Sequence, residues 1–218
     1  VPALRFSVII PAYQEEVCLP ALLGQVARFR CLSPGTEIIV SDGGSTDRTV
    51  EIGRSTADAT VTWDAPAQQN IATGRNRGAR EAHGDVLMFL NADVSFDDPE
   101  AFFREAVRVM GDDRTLAATC AVAVRADERR LSDRLFHGAF NAYCRFLNTV
   151  GIGMGRGECH IIRREIFERL GGYDERIAAG EDFELFHRIR RRGNIAFMNN
   201  VVVYESPRRY RVMGYARV

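Results

Sequence analysis

Short apolar runs that stop abruptly at polar residues, alternating with stretches of helical spacing, constrain this chain more than any other feature. Residues 6–10 run into Pro11-Ala12-Tyr13-Gln14-Glu15. Residues 37–40 run into Ser41-Asp42-Gly43-Gly44-Ser45-Thr46-Asp47, and residues 86–90 into Asn91-Ala92-Asp93. Runs of four or five apolar residues bounded by turn signals predict buried strands. Between them, Val17, Leu19, Leu22, Leu23, Val26, Ala27 and Phe29 recur at roughly helical spacing over residues 16–30. Residues 68–82 read as a second helix, and 59–63 as a further strand. Ser45 or Thr46 is placed to cap the helix after the Asp42 strand, with Asp47 favouring its first turn. Pro99 opens a helix to about Met110, 116–124 reads as a strand and 132–148 as an amphipathic helix.

Strands alternating with helices imply βαβ units and a mostly parallel sheet flanked by helices. In such sheets ligands bind beyond the carboxyl ends of the strands. If the three strands are parallel, Glu15, Asp42, Asn91 and Asp93 share one edge.

The length, 218 residues, fits one α/β domain, and neither an internal repeat nor a linker divides it. Formal net charge is zero, so no global field favours nucleic acid. All 29 basic residues are arginine. Without lysine, a Walker-type phosphate loop and a Schiff-base mechanism are excluded. Five scattered cysteines without a CxxC pair argue against a disulfide framework or a zinc site and suit a reducing cytoplasm. The start does not read as a signal peptide, and no apolar run reaches the length of a membrane span.

Several residues admit two readings. Asp93 is a solvated turn residue or a ligand for a hard divalent cation, which needs few protein carboxylates. Asp42 is a turn former or an acceptor for a ribose hydroxyl or a base N–H. Arg75 and Arg77 cannot share a helix face, so at most one meets a shared site, and a solvated face suits Arg77. Glu181 and Asp182 are partners of a helix dipole or include a carboxylate base. His160 and His187, with no ligand partner one turn away, read as structural.

Taken together, PAYQEE, IIVSDGGSTDRT, TGRNRGA, GDVLMFLNADV, RREIFERLGGYDE and GEDFELFHRIRRRG resemble, in order and spacing, the family-2 glycosyltransferases. The resemblance implies a GT-A (Rossmann-like) fold in a single domain. Its nucleotide-sugar-binding half would cover about 1–98, its acceptor half about 99–205, and a basic tail 206–218. It implies transfer of a sugar from a nucleotide-diphosphate donor, a UDP- or GDP-sugar, to an acceptor hydroxyl with inversion. By motif, Tyr13 would pack on the base, with Pro11, Ala12 and Glu15 near the nucleoside. Asp42 would contact base or ribose, Arg75 the diphosphate, and Asn91 and Ala92 the nucleotide. Asp93 would bind Mg²⁺ or Mn²⁺. Asp182 would be the general base with Glu181 beside it. Arg208 and Arg209 would close over the diphosphate, or the tail would touch anionic lipid, placing a cytoplasmic active site at the inner membrane surface.

Three positions depart from the family pattern. Asn91 replaces the first Asp of the metal signature, Gly43 stands where many members have a second Asp, and Glu184 where an Asp is frequent. Two rivals remain: a sugar nucleotidyltransferase, disfavoured by the acidic, glycine-free PAYQEE loop, and a nucleotide-sugar-binding protein or partner subunit without turnover.

Overall fold

A computed structural model describes residues 4–65 and 69–215. β1 (Phe6–Ala12), β2 (Glu37–Asp42), β3 (Ala59–Thr62) and β4 (Val86–Leu90) are parallel and lie side by side in the order β3-β2-β1-β4. The same sheet continues through β7 (Cys159–Arg163), β6 (Thr115–Ala123), β8 (Asn194–Glu205) and β5 (Val94–Ser95). β7 runs antiparallel to both β4 and β6, β8 parallel to β6, and β5 antiparallel to β8. The sheet is therefore mixed, and parallel where the three polar strand ends meet.

The apolar runs form the central strands because both faces of the sheet are covered. Val8, Ile10, Met88 and Leu90 join the core under α1 (Leu19–Val26) and α4 (Pro99–Met110). Ile9, Leu87 and Phe89 join a second core under α3 (Ile71–Arg80), α6 (Arg164–Arg169) and α7 (Glu181–Arg190). Fully burying one such side chain contributes about 1.5–3 kcal/mol. Phe29 stacks on Phe103 at 4.6 Å, and Phe6 meets Phe103 edge-on at 4.9 Å.

Local details differ from the sequence pattern. The first helix spans only Leu19–Val26 and tightens into a 3-10 turn, Ala27–Cys31, which seats Phe29 among Phe96, Phe102 and Phe103. Ser45 and Thr46 do not cap α2 (Thr49–Thr56), which begins three residues after Thr46. Their hydroxyls instead accept hydrogen bonds from Gln14, the backbone N–H to Ser45 Oγ and Nε2 to Thr46 Oγ1, both at 2.9 Å. Asp47 does support the first turn, accepting from the Thr49 N–H at 3.0 Å. Arg77 is no solvated residue: it donates to the Thr62 carbonyl and lies over the Trp63 ring at 5.2 Å. α5 (Leu131–Thr149) and α8 (Arg208–Met213) complete the helices.

Candidate active site

The site begins where β1, β2 and β4 end together. Ala12 lies in register with Asp42, and the Gly43 N–H donates to the Ala12 carbonyl at 2.8 Å. Gln14, in a left-handed conformation (φ 56°), ties the loop after β1 to the loop after β2, its Oε1 accepting the N–H groups of Thr46 and Asp47 at 3.2 Å. Between these loops and β4 opens a groove of about 370 Å³. Pro11, Ala12, Tyr13, Glu15, Asn91, Ala92, Asp93, Arg208 and Arg209 all line it.

α3 forms the groove's floor. Asn70 caps it, accepting from the Thr73 N–H at 2.8 Å while its Nδ2 donates to the Glu175 carbonyl at 2.7 Å. Gly78 permits the close approach: a Cβ there would stand 2.5 Å from Ile9 Cγ2. Gly74 and Gln69 consequently reach the groove beside Pro11.

Burial pushes the Asp93 carboxyl above the ordinary carboxylate range, with the Glu158 charge adding to the effect and Arg208 opposing it. Arg208 reaches back from α8 to pair with Glu15 and lies 3.5 Å from Asp93. Burial likewise raises Glu15, against the pull of Arg208.

Two expected contact residues are placed differently. Asp42 is buried outside the groove lining, and its Oδ2 accepts the N–H groups of Gly44 and Ser45 at 2.9 and 3.0 Å. Its Oδ1 has no hydrogen-bond partner. The carboxylate therefore shapes the turn with one oxygen and keeps one acceptor unspent. Arg75 is 1% exposed and is not among the residues lining the groove. It donates to Glu181 Oε1 at 2.7 Å, Asn91 Oδ1 at 3.2 Å and the Gly157 carbonyl at 2.5 Å. It also lies over the Tyr173 ring at 5.2 Å. Arg75 thus braces the end of β4 against the start of α7.

α7 starts at Glu181, after Gly180 in a left-handed turn (φ 88°). Glu181 is held by Arg75, whereas Asp182 accepts the Phe183 N–H at 2.8 Å. Burial raises the Asp182 carboxyl, and the neighbouring Glu181 charge raises it further. A Cβ on Gly157 would stand 3.4 Å from Asp182 Oδ2, so this carboxylate lies against the loop before β7. Glu184 turns away to Arg188, which grips it through both oxygens at 2.6 Å. His160 Nδ1 lies 2.7 Å from the Tyr173 hydroxyl, and His187 Nδ1 donates to the Ile152 carbonyl at 2.8 Å.

Sequence patterns do not reveal Gln14, Gln69 or Arg156. Gln69 Oε1 lies 3.6 Å from where a Gly43 Cβ would be, so its amide fills space left by the missing second acid. Its Nε2 is a buried donor with no partner. Arg156, 1% exposed, donates to Glu158 and to Asn141 Oδ1 and lies over the Phe140 ring at 4.5 Å. Burial opposes ionisation of Glu158, but Arg156 overcomes it and holds the carboxyl below its ordinary value.

A larger cavity, about 880 Å³, lies between α3, α6 and α7. Its arginines Arg80, Arg164, Arg176 and Arg188 are paired with Glu175, Glu168, Asp174 and Glu184.

Sheet order, groove and strand-end carboxylates together define a GT-A glycosyltransferase architecture. The solved mannosyltransferase PcManGT of Pyrobaculum calidifontis, in complex with GDP-Man and Mn²⁺, superposes with TM-score 0.73 at 23% identity, over 93% of this chain and 56% of that one. Glucosyl-3-phosphoglycerate synthase of Mycobacterium tuberculosis, with Mn²⁺, UDP and product, superposes with TM-score 0.64 at 18% identity, over 93% and 72%. The family description "Glycosyl transferase family 2" matches residues 7–171, and the chain belongs to that family. Among curated relatives, the probable glycosyltransferase YdaM of Bacillus subtilis is 27% identical over 93% of this chain and 50% of its own length. A PGL/p-HBAD biosynthesis glycosyltransferase of Mycobacterium bovis is 30% identical over 84% and 69%. The chain thus spans about half the length of YdaM.

Proposed function

We propose that this chain transfers a sugar from a nucleoside diphosphate sugar to an acceptor hydroxyl, in one displacement that inverts the anomeric carbon. The groove at the β1–β4 edge takes the donor, in the nucleotide-binding half of about 1–98, and residues 99–205 shape the acceptor side. The observation that carries this reading is the placement of two carboxylates, Asp93 lining the groove just past β4 and Asp182 in the first turn of α7, with Arg75 tying their neighbours Asn91 and Glu181 together.

The donor residues divide the work. Tyr13, 45% exposed at the groove mouth, offers a ring for the base to stack on. The unspent Asp42 Oδ1 and Gln69 Nε2 provide an acceptor and a donor for base or ribose. Among the described residues no cluster of three or more ligating side chains exists. Asp93 alone suits Mg²⁺ or Mn²⁺, which take few protein carboxylates and complete their shells with water and phosphate oxygens. Asn91, a neutral amide, adds no charge, and its Oδ1 is engaged by Arg75. When bound, the metal neutralises charge developing on the departing diphosphate. Arg208, which then must leave Asp93, and Arg209 would turn to the phosphates, to which guanidinium groups are well matched.

Asp182 takes the acceptor's proton. Its raised affinity for protons suits a general base working near neutral pH. The acceptor oxygen bonds to the anomeric carbon, the bond from that carbon to the phosphate oxygen breaks, and the proton passes to Asp182. All five cysteines are free, which fits a cytoplasmic site where nucleotide sugars are available. Asp182→Asn should abolish donor turnover while nucleotide binding persists. Unchanged turnover would contradict the assignment of the base, and binding without turnover in the unsubstituted protein, across acceptors, would favour a binding role.

A further inference from the structure

α5 is the odd helix of this fold. It buries Asp133, His137, Cys144 and Leu147, two of them polar, half-buries Phe136 and Phe140, and leaves several large apolar residues exposed. Leu131 is 70% exposed, Leu135 64%, Phe146 59% and Val150, just past its end, 51%. With Ala139 and Ala142 between them, these positions fall on one side of the helix, and Tyr143 widens the stripe. Nineteen residues of helix make a face about 28 Å long.

The charge around this face has one sign. Arg134 and Arg145 are the only charged residues among the helix's exposed positions, and no exposed position of the helix is acidic. Exposed Arg129 and Arg130 precede it, following Asp127 and Glu128. α8 is pinned to the first turn by Arg211, which pairs with Asp133, and it adds exposed Val212 and Met213. A helix with a wide apolar stripe edged by arginine lies in the plane of a bilayer interface rather than across it. Consistently, among the described residues no helix is long and apolar enough to cross a membrane.

The stripe also leads to the chemistry. Val150 is followed by Ile152, 37% exposed, whose carbonyl accepts from His187. His187 stacks at 6.0 Å on Phe183, which is 39% exposed and adjoins Asp182.

We infer that α5 seats the protein on an anionic membrane surface and that the acceptor is an amphiphile whose hydroxyl is presented at that surface, on the Phe183 side of Asp182. The acceptor half of this inference rests on the transferase reading above; the docking half does not. The contact is made by α5, not by the tail arginines expected for it. Arg208 and Arg211 are engaged with Glu15, Asp93 and Asp133, Arg209 lines the donor groove, and Arg217 lies outside the described residues.

The test is vesicle co-sedimentation with phosphatidylcholine alone and with phosphatidylcholine mixed with phosphatidylglycerol. It uses the unsubstituted chain, Leu135→Glu/Phe146→Glu and Arg134→Gln, each also assayed for thermal stabilisation by UDP and GDP. The unsubstituted chain should sediment with the anionic vesicles. Arg134→Gln should weaken this about fivefold, and the double variant should lose it while keeping its nucleotide response. Failure to bind anionic vesicles, with the nucleotide response intact, overturns the docking. So does a concentration-dependent dimer that the double variant abolishes without any vesicle binding. Vesicle binding without a nucleotide response would retain the surface and overturn the acceptor assignment with the transferase reading.

Discussion

Two parts of the molecule, the donor wall of the groove and a charged wall outside its lining, are held by different means. The donor wall, β1, β2 and β4, is a sandwich of apolar side chains whose strand ends are laced by backbone and short polar contacts, such as Gln14 to Ser45 and Thr46. The second, where β8, α5 and the loop before β7 meet, is built around buried titratable groups: Arg156, Glu158, Glu205 and His137. Arg156 Nη2 donates to His137 Nδ1 at 3.3 Å, which leaves the proton of the neutral ring on Nε2, facing Glu205 at 3.5 Å. The apolar wall tolerates small changes in proportion to volume lost. The charged wall fails when one partner is removed, because a buried charge is left unpaired.

The largest effect expected is on rate. Asp182→Asn should reduce turnover about 10²–10⁴-fold, the usual contribution of a positioned base, with little change in stability. The kcat/KM profile of the unsubstituted enzyme should show its acid limb above the ordinary carboxylate range, because burial and Glu181 raise Asp182. A limb at the ordinary Asp value would remove the base from this environment.

Next comes a contrast of stability between the walls. Arg156→Ala should destabilise by about 3–5 kcal/mol in denaturant unfolding, by stranding Glu158. Ile9→Val on the donor side should lose only about 0.5–1.5 kcal/mol. Equal losses would erase the distinction between the walls.

Smaller still is the pH dependence of stability. Burial and the Glu158 charge push Glu205 up to about 9. A group whose proton affinity is higher folded than unfolded stabilises at low pH, and that contribution is lost as pH rises through its raised value. His137 works the other way: burial, then Arg156, lower it to about 4, so stability falls as pH drops from about 6.5 toward that value. Thermal melts should therefore decline above about pH 6.5, and Glu205→Gln should flatten that decline while steepening the rise between about pH 4.5 and 6.5, where the two groups oppose each other. Smallest is Gln69→Ala, which should weaken nucleotide binding by about three- to tenfold, the worth of one hydrogen bond.

The donor wall was legible in the sequence because its signals are local. Apolar runs of five residues, a proline at 11 and glycines at 43 and 44 each act within one strand or turn, and the parallel arrangement followed from their alternation. The charged wall was not legible. Arg156 meets Asn141 and His137 across 15 and 19 residues, and Arg75 meets Glu181 across 106, pairings that no spacing rule encodes. Arg75 shows the limit well. Its motif marks the right residue, but its burial and its contacts to Glu181 and Asn91 are properties of the packed fold. The exposed stripe of α5 was likewise hidden, since an amphipathic pattern does not say which face is covered.

The most direct test of the central claim is thermal unfolding with UDP, GDP and dTDP and their sugars, with and without Mn²⁺, on the native chain and on Asp93→Ala. One nucleotide, at about a hundred times its Kd with metal present, should stabilise the native chain by about 2.7 kcal/mol. That gain should vanish in a folded Asp93→Ala. Well-folded native protein that no nucleotide stabilises, with metal or without, would contradict a donor site in this groove.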